Sequence, residues 1–367
     1  MERDHLTSSP IQKIFNLIKT GSNDLTRPLL GEEYISKLYY AIDDPTPTVY
    51  FPQDQKLYEL IMNKVKNANL NNVTRTACYL DFFKKHPEIH WSFLAHMVSR
   101  NAGYYMTDIR NNLLSYVLDR NDQIALFSFL ELCNAAIFHD AYPQLLLYEQ
   151  WKRTGHSSLH VLKKFNVSIF MMNIWDEFLT TGNEQVLTIG LIMNEQHMIQ
   201  KRILTDLKKP IGLDEWLFLL QDRLEFTSIL FPYGKQSPYS LAGLSVSHFE
   251  QVKRRILLGK KLYSILFHPA VFPTAYSFAI NHSHSGSRAD YWPHIYSKKN
   301  KKNRLYSPTL RSVWSNIPPL TLSSADWFTD QPIEVMAPLL TKMVPGRFSM
   351  TKKWKALTAL LVKLKRD

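Results

Sequence analysis

The stretch HPEIHWSFLAHMVSRN, residues 86–101, decides how this chain is read. Three histidines and a glutamate stand there at spacings that would suit a metal ion or merely decorate a helix. Plotted at about 100° per residue, Ile89, Trp91, Phe93, Leu94, Met97 and Val98 gather on one stripe. That is the period of an amphipathic helix, not the alternation of a strand. His90 and Asn101 fall within the stripe, Glu88, His96 and Ser99 fall outside it, and His86 stands at the helix start. The imidazoles therefore do not converge, and no metal is expected here. A core-facing histidine is expected to be hydrogen-bonded.

The same period dominates the whole sequence. It predicts helices near 10–20, 32–42, 54–68, 72–85, 87–101, 107–119, 122–150, 158–164, 167–181, 184–206, 213–231, 246–267 and 332–344, with a last one from 351. Asn183 is placed to cap the helix that follows it. Pro87 fits a first helical position, and Pro143 is expected to kink or split the helix of 122–150. Glycine is scarce, at 12 of 367 residues, which leaves few tight turns. No strand array or internal repeat stands out, and the predicted fold is all-α: a multi-helix globular bundle.

From 281 to 330 the pattern breaks into Ser, Pro, Asn and Lys mixed with Tyr and Trp. Those aromatics predict an irregular segment packed on the helical body. The organisation expected is an N-terminal helical extension over 1–50, a main helical domain over 51–280, the irregular segment over 281–350, and a basic amphipathic helix over 351–367. The SKKNKKNR stretch is expected to be mobile.

Hydrophobic residues make up 45% of the chain and charged residues 21%, as in ordinary soluble domains. No uninterrupted apolar run has the roughly 18 residues of a membrane span. The N-terminus lacks a signal-peptide layout, and Cys78 and Cys133 read as buried hydrophobes rather than a disulfide. The cytoplasm is the expected compartment. Of the formal +12, residues 298–304 carry +5 and residues 352–367 another +5, leaving +2 elsewhere. Such segregation does not predict a broad nucleic-acid face.

The helical plots also aim polar groups inward. Glu131 lies at the centre of the apolar stripe of 122–150, and Glu149 returns to the same angle five turns on, too distant to share a site. Glu195 and Arg202 lie on the apolar half of 184–206. Buried charges must be paired, neutralised or solvated, so these groups predict either a satisfied network or a polar pocket. The signatures of nucleophile elbow, P-loop, dinucleotide binding, HExxH and paired CxxC are all missing, and no cofactor is expected.

The blocks RTACYLDFFKKHPEIHWSFLAHMVSRNAGYYMTD, AIFHDAYPQLLLYE, LIMNEQHMIQKRI and SGSRADYWPHIYS resemble the YppC-like bacterial family, which carries a domain of unknown function. The blocks run from about 72 to 297. The resemblance implies no reaction or catalytic residues. It places Arg75, His90, Asn101, Asp140, Tyr142, Asn194, Glu195, Arg202, Arg288 and Asp290 inside family blocks. In HSGSRADYWPH, Gly286 permits an unusual turn, Arg288 offers a planar fork and Asp290 could hold it. Glu195 or Glu131 is the expected partner of Arg288.

The tail TKKWKALTALLVKLKRD plots with Trp354, Leu357, Leu360, Leu361 and Leu364 on one side and Lys352, Lys355, Lys363 and Arg366 opposite. With Lys353 and Lys365, it could pack on its own domain, lie on an anionic membrane or meet a partner. Three functions follow as expectations. The first is binding of a small anionic ligand in an internal polar pocket. The second is an enzyme with Glu195 or Glu131 as base, His90 as acid or base, and Arg202 or Arg288 stabilising charge. The third is a scaffold recruited by the basic helix.

Overall fold

The computed structural model describes residues 29, 51–111, 118–156, 158–205, 228–234, 238–246, 251–300, 304–318, 341 and 343–364. The expected extension over 1–50, with helices near 10–20 and 32–42, lies outside them apart from residue 29. So do Lys365, Arg366, residues 301–303 and most of the helices expected near 213–231 and 332–344.

Helices α1 (Pro52–Ala68) and α2 (Asn72–Lys85) open the described fold. Asn71 starts α2 by accepting from the amide of Thr74 at 3.1 Å, while the Thr74 hydroxyl accepts from the Asn71 amide, a reciprocal cap. Pro87 is not the first residue of a helix. It sits in a tight turn closed by the Ile89 amide donating to the His86 carbonyl, where its fixed φ suits the second turn position. Helix α3 follows over His90–Asp108. It runs through the expected break between 101 and 107 as one rod.

Seven consecutive residues of α3, Trp91 to Met97, are buried, because α2, α4, α6, α7 and a hairpin surround it. A helix covered on all sides has no outward stripe. That corrects the expectation for His96, which is buried like its neighbours.

Helix α4 (Arg120–Thr154) stays a single helix through Pro143, contrary to a split. Buried residues Phe138, Ala141 and Leu145 to Tyr148 clamp both sides of the proline, offsetting a local cost of about 3 kcal/mol. By length and composition α4 could cross a membrane, yet its most apolar 18-residue window is 61% buried inside the fold. A 3₁₀ turn (Leu159–Phe165) leads to α5 (Ile169–Thr181) and α6 (Glu184–Met198). Asn183 caps α6, accepting from the Val186 amide at 3.1 Å. Helix α6 continues as a π-helical stretch over Ile199–Thr205.

The expected helix of 213–231 ends instead in a strand. β1 (Ser228–Tyr233) and β2 (Ser240–Ser245) form an antiparallel hairpin, Ser228 opposite Ser245 and Tyr233 opposite Ser240. Residues 348–350 run along β2: the Gly243 amide donates to the Phe348 carbonyl and the Met350 amide to the Leu241 carbonyl, each at 2.8 Å. A run as short and apolar as SILFPY does not distinguish helix from strand by period.

Helix α7 (Val252–Leu266) is followed by α8 (Phe272–Asn281), which the sequence reading lacks. Residues 281–300 and 304–318 then lie on the helical body. It holds the two-residue parallel pair β3 (Tyr296–Ser297) and β4 (Leu305–Tyr306) and the single turn α9 (Leu310–Val313). Trp292 is fully buried, and Trp314 stacks on Phe127 with ring centroids 4.0 Å apart. Helix α10 (Thr351–Leu364) closes the chain. The molecule is a mostly-α globular fold, with two small sheets among the described residues.

Candidate functional site

The inward polar groups separate into pairs rather than one pocket. Arg75 on α2 donates to Glu131 on α4 and, at 2.9 Å, to the Asn69 side chain. Burial pushes the Glu131 carboxyl up, opposed by the guanidinium beside it. Asp140 accepts from Asn194 at 2.7 Å and Gln144 at 3.0 Å. Asn194 in turn accepts from Ser168 at 2.6 Å, and Gln144 from the Trp175 indole at 2.8 Å. This chain ties α4, α5 and α6 together inside the core. Asn101 serves the hairpin: it donates to the Leu230 carbonyl and accepts from the Leu230 amide, both at 3.0 Å. Its side chain thus substitutes for a neighbouring strand.

Arg288 does not reach Glu195 or Glu131. It pairs with Asp108 at the end of α3, and its guanidinium also donates to the Tyr291 hydroxyl at 3.0 Å. The reason is the length of α3, which carries Asp108 to the loop on the same rod as Arg100. Burial pushes the Asp108 carboxyl up despite the cation. Gly286 holds the loop at φ +84°, where a Cβ would come within 2.7 Å of Leu310. Asp290 accepts from the Ser285 amide at 3.0 Å and hydroxyl at 2.6 Å, with Arg100 and Lys298 each 3.4 Å away. It does not hold Arg288. Burial would raise its carboxyl, but His284, Arg100 and the two Ser285 donors outweigh that and keep Asp290 well below the usual carboxylate range.

His90 is half-buried, its side chain 22% exposed, between Tyr263 Oη at 2.8 Å and Glu184 Oε2 at 3.1 Å. Tyr142 stacks on Phe138, and Arg202 is buried in the π-helical stretch. Glu149 pairs with Lys85 at 3.0 Å.

One cavity does gather chemistry. A space of about 200 Å³ lies between α3, α4, α6, α7 and the start of β1. Most of its wall is apolar, with Trp91, Leu94, Phe129, Ile137, Ile192 and Leu262 among the lining. Of the polar-cluster candidates expected from sequence, Asn101 and Glu195 line it. Glu195 is half-buried and receives hydrogen bonds from the Gln196 side-chain Nε2, at 3.1 Å, and the Trp91 indole. Both favour the anion, yet burial outweighs them and raises its pKa to about 8, with Asp140 adding to the shift. At neutral pH the group is mainly a carboxylic acid, able to donate as well as accept.

Arg255 reaches the same wall from α7. It donates to the Gln196 side chain at 3.0 Å and the Gln196 carbonyl at 3.2 Å, near the C-terminal end of α6, where a cation is favoured. Arg255, Gln196 and Glu195 form one polar strip on an apolar surface. Cys133 also lines the space, its thiol pushed up to about 12 by burial and so not a thiolate. Sequence reasoning missed Arg255 because it sits in the VKRR run, which resembles a solvated face. Asp108 was missed because α3 was read as two helices. Among the described residues no group of three His, Cys, Asp or Glu side chains is arranged to hold a metal ion.

A family model described as a protein of unknown function, DUF2515, matches residues 67–343. The chain is 39% identical over 277 residues to the uncharacterized protein YppC of Bacillus subtilis (strain 168), covering 75% of this chain and 84% of that protein. No solved structure matches the chain. The matched residues contain the cavity, the Arg75–Glu131 pair and the Arg288–Asp108 pair, and the chain belongs to the DUF2515 family of unknown function.

Proposed function

We propose that the protein binds a small, largely apolar molecule with one oxygen-bearing head, held in the cavity between Glu195 and Arg255. The observation that carries this reading is the placing of Glu195 and Arg255 together on a mostly apolar wall. An acid with its pKa raised to about 8 donates to a carbonyl or carboxylate oxygen at neutral pH, and the neighbouring guanidinium favours the carboxylate. The small anionic ligand expected from the sequence becomes an apolar acid with a single charged end. Size agrees with this: a dry cavity of roughly 150 Å³ accepts benzene, and this one offers about 200 Å³.

The acid–base enzyme has less support. His90, Arg202, Glu131 and Arg288 are not on the cavity wall, and Glu131 and Arg288 are engaged with Arg75 and Asp108. Calorimetric titration of the full chain with benzoate, and with benzyl alcohol as a neutral control, tests the reading. Benzoate should bind at pH 6.5 and at least tenfold more weakly at pH 9.5, where ionised Glu195 repels it. Glu195→Gln should remove that pH dependence while keeping the hydrogen-bond donor. Leu258→Trp, which fills the cavity, should abolish uptake. Absence of benzoate binding to the native protein, together with no co-purifying small molecule by native mass spectrometry, would sink the reading.

A further inference from the structure

We infer that Lys298, Lys299 and Arg304 form, with helix α10, one composite basic face that docks on anionic lipid surfaces. Residues 291–325 and 341–366 contain 14 lysines and arginines and not one acidic residue. The fold brings the described parts of these segments together although they are far apart in the chain. The Trp354 ring of α10 lies 4.9 Å from the Arg288 guanidinium. Two residues further on, Asp290 Oδ1 is 3.4 Å from Lys298 Nζ. His294, exposed between them, feels the charges of both Lys355 and Arg304.

Lys298, Lys299 and Arg304 are exposed on one side of this junction, and Lys352, Lys355 and Lys363 on the other. The nearby acid, Asp290, is buried and already engaged. Leu360 is 54% exposed and projects between Lys353 and Lys363 at helical spacing. The tail does not insert as a free amphipathic helix would. Its Trp354 and Thr358 are buried against the body, which removes Trp354 from the expected membrane-facing set and leaves the lysines outward. Attachment is therefore electrostatic, spread over one face, and weakened by salt. A nucleic acid fits less well, since no Phe, Tyr or Trp ring among the described residues of the two segments is exposed for base stacking.

Co-sedimentation of the full chain with phosphatidylcholine vesicles, with and without phosphatidylglycerol, tests the inference. Binding to the anionic vesicles alone is expected, reversed by salt. Each lysine near such a surface contributes about fivefold in partitioning. Lys299→Gln should therefore weaken binding about fivefold, and Lys352→Gln with Lys355→Gln roughly 25-fold, with unchanged thermal melts. Equal sedimentation with neutral vesicles, or none with either, overturns the inference. Wild-type partitioning of the loop variant overturns the composite face, and retention on an RNA oligonucleotide without vesicle binding overturns the lipid assignment.

Discussion

Arg288 and Asp108 meet with both side chains out of water, and such a pair is asymmetric in its energetics. Removing one partner strands a buried charge, whereas replacing both with apolar groups removes the desolvation cost as well. Arg288→Met is expected to lower stability by about 3–5 kcal/mol in urea denaturation. Adding Asp108→Leu should restore most of that loss; additive destabilisation in the double variant would contradict the pairing. Glu195 follows the opposite logic, because it is strained by ionising. Its pKa rises from an ordinary 4.5 to about 8 in the fold. Its contribution is therefore complete below pH 4.5 and drains away as pH climbs to 8. Glu195→Gln should flatten the fall in melting temperature over that window, and an unchanged slope would mean that the carboxyl is already solvated.

At the scale of elements, the hairpin is the least autonomous part of the fold. Two strands alone are marginal in water, and this pair is held by Asn101 on one edge and by residues 348–350 on the other. A Cβ at residue 243 would stand 1.9 Å from the Ile229 carbonyl oxygen. Gly243→Ala should therefore force the strands apart and cost more than about 1 kcal/mol. Trp292, whose indole donates to the Tyr239 carbonyl at 3.0 Å, lies beside the hairpin and should report the opening as a red shift in emission. Native emission and stability in that variant would rule out the observed register. The helices were legible because their 3.6-residue period and caps are local: α2 and the cap of α6 fall where the sequence places them. The hairpin was not, because its pairing depends on groups more than a hundred residues away.

Across the whole molecule, buried imidazoles dominate the acid response. Burial depresses His90, His197 and His284 to about 4 and His96 to about 3. His96 donates from Nδ1 to the Thr76 carbonyl at 2.7 Å, and His284 bonds Asn72 at 2.7 Å. Their contribution is whole above an unfolded pKa of about 6.5 and is lost as pH falls toward 4. Each can cost about 1.4 kcal/mol per pH unit in that interval, so together they outweigh the opposite slope of the single Glu195. Urea midpoints should drop steeply between pH 6.5 and 4.5, less so in His284→Gln. A flat profile would place these rings in water.

Hydrophobic period, capping residues and the clustering of cations are properties of short windows, and they alone determined the helical class, most helix positions and the two basic segments. Which charge meets which was decided by tertiary structure. A helical plot states the face on which Arg288, Glu131 or Glu195 lies, but the partner comes from another element brought close by burying apolar surface. So Asp108 rather than Glu195 took Arg288, and Arg255 rather than Arg202 came to stand beside the cavity.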